Sequence, residues 1–268
     1  QQELDWEQYL VEGVRTDVDL SGLRDDDGVS GRGKSEDGKL SYGYTSRRGH
    51  RVTMDGTYDI KISTINGQWH FGARAAKYLK PHLFDILMKH PQLMTNTKLA
   101  MTETFQQTDV DFLDLERLTY RDDGSAAITA VVVGNRLYVA HVGDSRGIAS
   151  KAGNEDAGGF INDSTRTVCS MISITRAFDN RVLKKYIIVE LEIQDIVIDE
   201  ELELLVLACK RYWDYLSNEE VVVVARAKEA ETAAKRLTDI AFTRMEQKIT
   251  FGWNFQCIVI KFHHPESA

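Results

Sequence analysis

The chain predicts an α+β fold, a layered sandwich of sheets flanked by helices. Three observations carry that expectation. Ser125 to Val133 is a continuous run of small and β-branched residues, as in a strand covered on both faces. Ala73 to Met88 and Glu229 to Met245 repeat apolar residues at helical spacing. Further strand-like segments are grouped beside paired helices, and that grouping gives layers around a shared core.

Taken in order, residues 1–39 read as an acidic, flexible N-terminal segment. Ser, Gly and Asp dominate Ser21 to Gly38, a linker composition. Before it, Trp6, Tyr9, Leu10 and Val14 fall at helical spacing, consistent with a short amphipathic helix that docks or with no fixed structure. The domain is expected over residues 40–263, with a tail at 264–268. Residues 51–65 alternate like strands, and Asn66-Gly67 is a hairpin signal. In the helix at Ala73 to Met88, Ala76, Leu79, Leu83 and Leu87 form the apolar face, and Pro81 is a local irregularity. Thr95 to Glu116 reads as a second helix with Leu99, Phe105, Phe112 and Leu115 as core contacts. Strands follow at 125–133, 136–142 and 145–150, separated by turns at Gly134-Asn135 and Gly143-Asp144. Tyr186 to Ile193 and Leu202 to Ala208 read as strands. Ser217 is an N-cap, with Glu220 three residues on completing a capping box. The long helix at Glu229 to Met245 precedes a closing strand, Phe255 to Phe262.

Bulk properties narrow the function classes. With 268 residues, the chain can bury one full core. No apolar run reaches the length of a membrane span, and no secretory leader pattern is visible. The expectation is no membrane partner and a cytoplasmic and/or nuclear location. Cys169, Cys209 and Cys257 lie in apolar surroundings without metal spacing, so free buried thiols are expected. The net charge of −8 argues against nucleic acid as a partner. Residues 1–40 hold 11 acidic and 5 basic side chains, so most of the acidity belongs to the N-terminal segment.

The order Gly124-Ser125-x-Ala127, hairpin, Val142-Gly143-Asp144-Ser145-Arg146 resembles the metal-dependent type-2C Ser/Thr protein phosphatases, especially their plant members. Similar segments stand at Gly38 to Tyr44, Arg51 to Met54, Gly72 to Leu79, Glu155 to Ile161, Ser173 to Phe178 and Cys257 to Ile260. Six motifs in family order are far more specific than one short pattern. The resemblance implies a four-layer α-β-β-α sandwich of two antiparallel sheets. It also implies two Mg or Mn ions sharing a water that attacks a phosphate, held chiefly by carboxylates.

Each family motif that supplies an essential aspartate is altered. Where the family has Arg-x-x-Met-Glu-Asp, this chain has Arg51-Val52-Thr53-Met54-Asp55-Gly56. Arg51 keeps the phosphate-contacting place, while Gly56 replaces the ligand. Asp55 does not simply substitute, because strand neighbours point to opposite faces. The strand end Asp-Gly-His-Gly-Gly is missing between His70-Phe71 and Gly72-Ala73, which implies a shortened central strand. Where the family has Ala-Ser-Asp-Gly-Leu-Trp-Asp, this chain reads Ala208-Cys209-Lys210-Arg211-Tyr212-Trp213-Asp214, so Lys210 stands at the ligand position. Trp253 replaces the last aspartate. The family's substrate-selecting flap is absent after Gly153.

The expectation is therefore an inactive phosphatase-like protein that uses no metal cofactor and binds a phosphorylated protein, kinase or other signalling partner. Arg51, Lys210 and Arg211 are its candidate phosphate-binding residues, and Asp144 is a residual family motif. Lys210 and Arg211 turned to solvent, or paired with Asp214, are the simpler alternative. The alternative function is a residually active phosphatase with rearranged ligands, for which Asp55, Asp144, Asp179 and Asp214 qualify by residue type only.

Overall fold

The computed structural model describes residues 29–35, 37–47, 56–62, 65–71, 75–115, 124–142, 145–151, 167–169, 178–179, 191–248 and 254–264. These form two antiparallel sheets flanked by helices, an α+β fold. The chain divides into two compact units.

The first unit contains the sheet order β10-β6-β5-β4-β3. Its strands are β3 (Gly56–Ile62), β4 (Ile65–Phe71), β5 (Gly124–Val133), β6 (Arg136–Val142) and β10 (Glu192–Val197). A short strand, β9 (Phe178–Asp179), pairs with the start of β5. Helices α1 (Ala75–Met88) and α2 (Thr97–Leu115) belong to this unit. Leu83 and Phe105 pack with Ala127 and Val142, while Leu87, Leu93, Ala100 and Met101 pack with Val131 and Ala140. The small residues Ala127, Ala130 and Ala140 of β5 and β6 are fully buried.

Three expectations change here. Asn66-Gly67 is not the hairpin turn. Both lie inside β4, opposite Lys61 and Ile60, and the reversal falls between the paired Ile62 and Ile65. Pairing of β4 with β5 from Gly67 onward holds that dipeptide extended. Phe105 and Phe112 of α2 are buried, but Leu99 and Leu115 are exposed. Leu99 lies two residues from both Thr97 and Met101 and so faces away from their stripe. Leu115 is the terminal residue of the helix. Of the strand expected at Tyr186 to Ile193, Glu192 and Ile193 lie in β10, which runs on to Val197, and residues 186–190 lie outside the described ones. Charged and polar Glu192, Gln194 and Asp195 hid this strand from an apolar pattern. They suit the sheet edge it occupies, where Asp195 pairs with Arg136 and Lys98.

The second unit contains the sheet order β1-β2-β12-β11-β7-β8. Its strands are β1 (Val29–Lys34), β2 (Leu40–Arg47), β7 (Arg146–Lys151), β8 (Thr167–Cys169), β11 (Leu202–Ala208) and β12 (Phe255–Phe262). Its helices are α3 (Lys210–Trp213), α4 (Asn218–Ala227) and α5 (Ala230–Gln247). The strand β1 falls inside the segment that composition assigned to a linker. It pairs residue for residue with β2, from Val29↔Ser46 to Lys34↔Ser41.

Helix α5 buries Ala233, Ala234, Leu237, Ala241 and Met245. Its first turn lies so close to β2 that a Cβ on Gly43 would sit 2.0 Å from the Glu231 backbone nitrogen. Helix α4 opens with the expected capping box between Ser217 and Glu220. Among the described residues, no helix is long and apolar enough to cross a membrane. Cys209 and Cys257 are buried, as expected, and neither forms a disulfide.

Candidate functional site

Register brings the ends of β2 and β11 and the starts of β7 and β12 together at one end of the second unit's sheet. Phe255 at the start of β12 pairs with Arg47 at the end of β2. Ala208 at the end of β11 pairs with Cys257 on one side and with Arg146, at the start of β7, on the other. The chain therefore leaves β2 toward Arg51, leaves β11 into Lys210, and enters β12 and β7 at this same end. Sequence separation hides the convergence, because antiparallel order alternates strand starts with strand ends.

The first residue of α3 is the half-buried Lys210. Cys209 before it has extended backbone and donates its N–H to the Gln256 carbonyl at 3.2 Å. Its thiol approaches the Asn254 carbonyl at 3.6 Å. The turn is anchored by Tyr212, fully buried, whose hydroxyl bonds Thr238 of α5. Burial pushes that phenol well above its ordinary pKa, and burial likewise raises the Cys257 thiol. Both groups are thus uncharged structural elements. Phe255 packs against Tyr212, Tyr215 and Phe242 at centroid distances of 5.6, 6.1 and 6.2 Å.

Cations crowd this end. Arg146 lies over the Trp213 ring, 4.6 Å from its centroid, and donates to Asn218 Oδ1. Trp213 is itself fixed by its indole N–H to the Ala208 carbonyl at 3.2 Å. Arg47 stacks on Phe242 at 3.7 Å and meets Asp239 at 3.3 Å. Arg211 meets Asp214 at 2.8 Å, the pairing that the simpler alternative foresaw. Asp214 is therefore held by a guanidinium within its own turn. Sequence reading named Lys210 and Arg211 but missed Arg146 with its Trp213 platform. Its signal was an Arg beginning one strand beside the end of another, and only the register exposes it.

The remaining candidates fall elsewhere. Arg51, Asp55, Asp144 and Trp253 lie outside the described residues, as do residues 152–166. Gly56 is the first residue of β3, opposite Phe71, and Asp179 ends β9 opposite Gly124. Among the described residues no three His, Cys, Asp or Glu side chains gather in a way that could hold a metal ion.

Two antiparallel sheets flanked by helices are the fold of the protein phosphatase 2C class. The protein phosphatase 2C family model matches residues 66–156 and 155–249. This chain belongs to that family. It is 49% identical to probable protein phosphatase 2C 76 of Arabidopsis thaliana, over 93% of this chain and 66% of that protein. It is 47% identical to probable protein phosphatase 2C 52 of Oryza sativa subsp. japonica, over 89% of this chain and 54% of that protein. The chain thus spans about two thirds and about half of these plant relatives. The first match extends over 282 positions, more than the chain's 268 residues, so segments of the relative are missing here. The serine-threonine phosphatase 2C structure from Toxoplasma gondii shares the fold, with a TM-score of 0.74 at 12% identity, over 89% of this chain and all of that one.

Proposed function

We propose that this chain is a binding member of the protein phosphatase 2C family that engages a phosphorylated protein or its kinase without hydrolysing phosphate. The observation that carries this reading is Lys210, a cation at the sheet end where the family pattern calls for a ligand carboxylate. Hard divalent cations need several oxygen ligands, and an ammonium at that position repels them. Arg146 and Arg47 at the same end add positive charge that suits a phosphate better than a metal. In this reading the described residues at that sheet end offer cations rather than a carboxylate cluster, and no hydrolytic step is assigned to them. In this reading Arg51 and Lys210 contact the phosphate, and Arg211 contributes only by leaving Asp214. The expected location is cytoplasmic and/or nuclear.

Calorimetry with a phosphopeptide and its unphosphorylated counterpart tests the binding. The phosphorylated form should bind more tightly, and an Arg51→Ala, Lys210→Ala double variant should erase the difference. Equal affinity of that variant for both peptides, with wild type showing no preference either, removes the phosphate-binding reading.

A second reading is residual phosphatase activity with rearranged ligands. The 49% identity to a protein named as a probable phosphatase favours it. Manganese-dependent turnover of p-nitrophenyl phosphate, lost on substituting a site residue, would establish it over the first.

A further inference from the structure

Strand β1 forms one edge of the second unit's sheet, and among the described residues it has only β2 as a neighbour. The outer row of backbone N–H and C=O groups on such a strand is a template for another chain. Natural edges are commonly blunted by proline, a bulge, shortness or charged side chains, and this edge carries Arg32 and Lys34, which repel a basic strand but not an acidic one. This one is six residues long, contains no proline and keeps unbroken register with β2.

Its two faces differ. On one face, Gly31 and Gly33 offer no side chains. Tyr44 and Tyr42, their partners on β2, extend across the strand instead. A Cβ on Gly31 would meet the Tyr44 hydroxyl oxygen at 2.4 Å, and one on Gly33 the Tyr42 hydroxyl oxygen at 2.4 Å. The phenol rings thus lie across β1, Tyr44 buried and Tyr42 half-buried, so that the Tyr42 ring is the one that can meet a side chain of an added strand. On the other face stand Ser30, Arg32 and Lys34. Arg32 is 79% exposed, and Lys34 is exposed. The carboxylate of Glu231 serves Arg32 at 3.6 Å, Lys235 at 2.7 Å and the Ser30 hydroxyl at 3.3 Å. One carboxylate shared by two exposed cations, with Lys34 alongside, leaves this face positive.

We propose that the β1 edge is a docking site for an extended partner peptide that alternates acidic and apolar residues. Main-chain hydrogen bonds to β1 would supply the pairing. Acidic side chains would face Arg32 and Lys34, and an intervening apolar one would lie beside the half-buried Tyr42. This surface is separate from the sheet end discussed above, so the fate of either reading leaves the other standing.

The probe is a capped hexapeptide of alternating valine and aspartate, with a valine–lysine counterpart, added to the full chain. Hydrogen exchange should show the Val29 to Lys34 amides slowed with the acidic peptide alone. An Arg32→Glu, Lys34→Glu variant should stay folded, losing no more stability than the small amount the exposed Arg32–Glu231 pair is worth, and bind about tenfold more weakly, the scale of two exposed ion pairs lost. Three results would overturn the proposal: equal binding of acidic and basic peptides, protection arising away from β1, or unchanged affinity of the charge-reversed variant. So would β1 amides already as protected as those of β2 in the free chain. Independence of that protection from protein concentration would then assign the edge to this chain itself, and dependence on it to a second copy.

Discussion

Replacing Glu220 with Gln should destabilise the second unit and flatten its response to acid. Glu220 accepts from both Arg244 nitrogens, at 2.6 and 2.9 Å, and from the Ser217 backbone N–H at 2.9 Å. Arg244 also donates to the Tyr215 carbonyl, so the pair ties the start of α4 to α5 and to the turn after α3. The Arg244 hydrogen bonds, foremost, and the Ser217 N–H lower the carboxyl pKa from 4.5 to about 2. Taken at face value, that shift corresponds to roughly 3 kcal/mol. The Glu220 side chain is 40% exposed, and solvent screening reduces the figure to about 1 kcal/mol. Because the folded-state pKa is depressed, this stability is present above the ordinary carboxyl value and is lost as pH falls from about 4.5 toward 2. Urea unfolding followed by fluorescence at pH 7 and across that window is the assay. Glu220→Gln should lose about 1 kcal/mol at pH 7, and its stability should fall less steeply on acidification. A variant as stable as wild type at pH 7, with the same acid slope, would refute the coupling.

Further outcomes follow from the packing. Gly43→Ala should cost 3 kcal/mol or more on the scale of forced overpacking, on the order of the worst core insertions, because its Cβ meets α5 backbone rather than a movable side chain. Gly134→Ala has open space and should lose only about 1 kcal/mol, through its φ of 57°, and chemical denaturation distinguishes the two. Phe255→Ala should cost about 3–5 kcal/mol, read by the same denaturation, since three aromatic rings lose their shared partner. Cys209 and Cys257 should resist thiol reagents until the protein unfolds, as peptide mapping by mass spectrometry would show.

Local chemistry was legible without coordinates wherever it acts over a few residues. The Ser217–Glu220 box, the turn at Gly134-Asn135 and the strand at Phe255 to Phe262 stand where their residues predict. Propensity failed where pairing partners decide. Asn66-Gly67 carries a hairpin signal, yet pairing on both sides of β4 keeps it extended. Gly-rich β1 looks like linker until Tyr42 and Tyr44 are seen covering it. Charged β10 is a strand because it pairs with β6, and among the described residues it has no second neighbour, so its polar side chains are tolerated.

By itself, the sequence determined the family resemblance and the identities at each altered motif, since both depend only on residue order. It also placed Lys210 where a carboxylate is expected. Only the tertiary structure decided which separated segments share one sheet end. Antiparallel register sets Arg47, Phe255, Ala208 and Arg146 side by side across long sequence separations. It also decided the company each charge keeps. Arg211 turns to Asp214, Arg146 to Trp213 and Asn218, and Arg32 shares Glu231 with Lys235, because ion pairs and ring contacts act over a few ångströms that residue order does not specify.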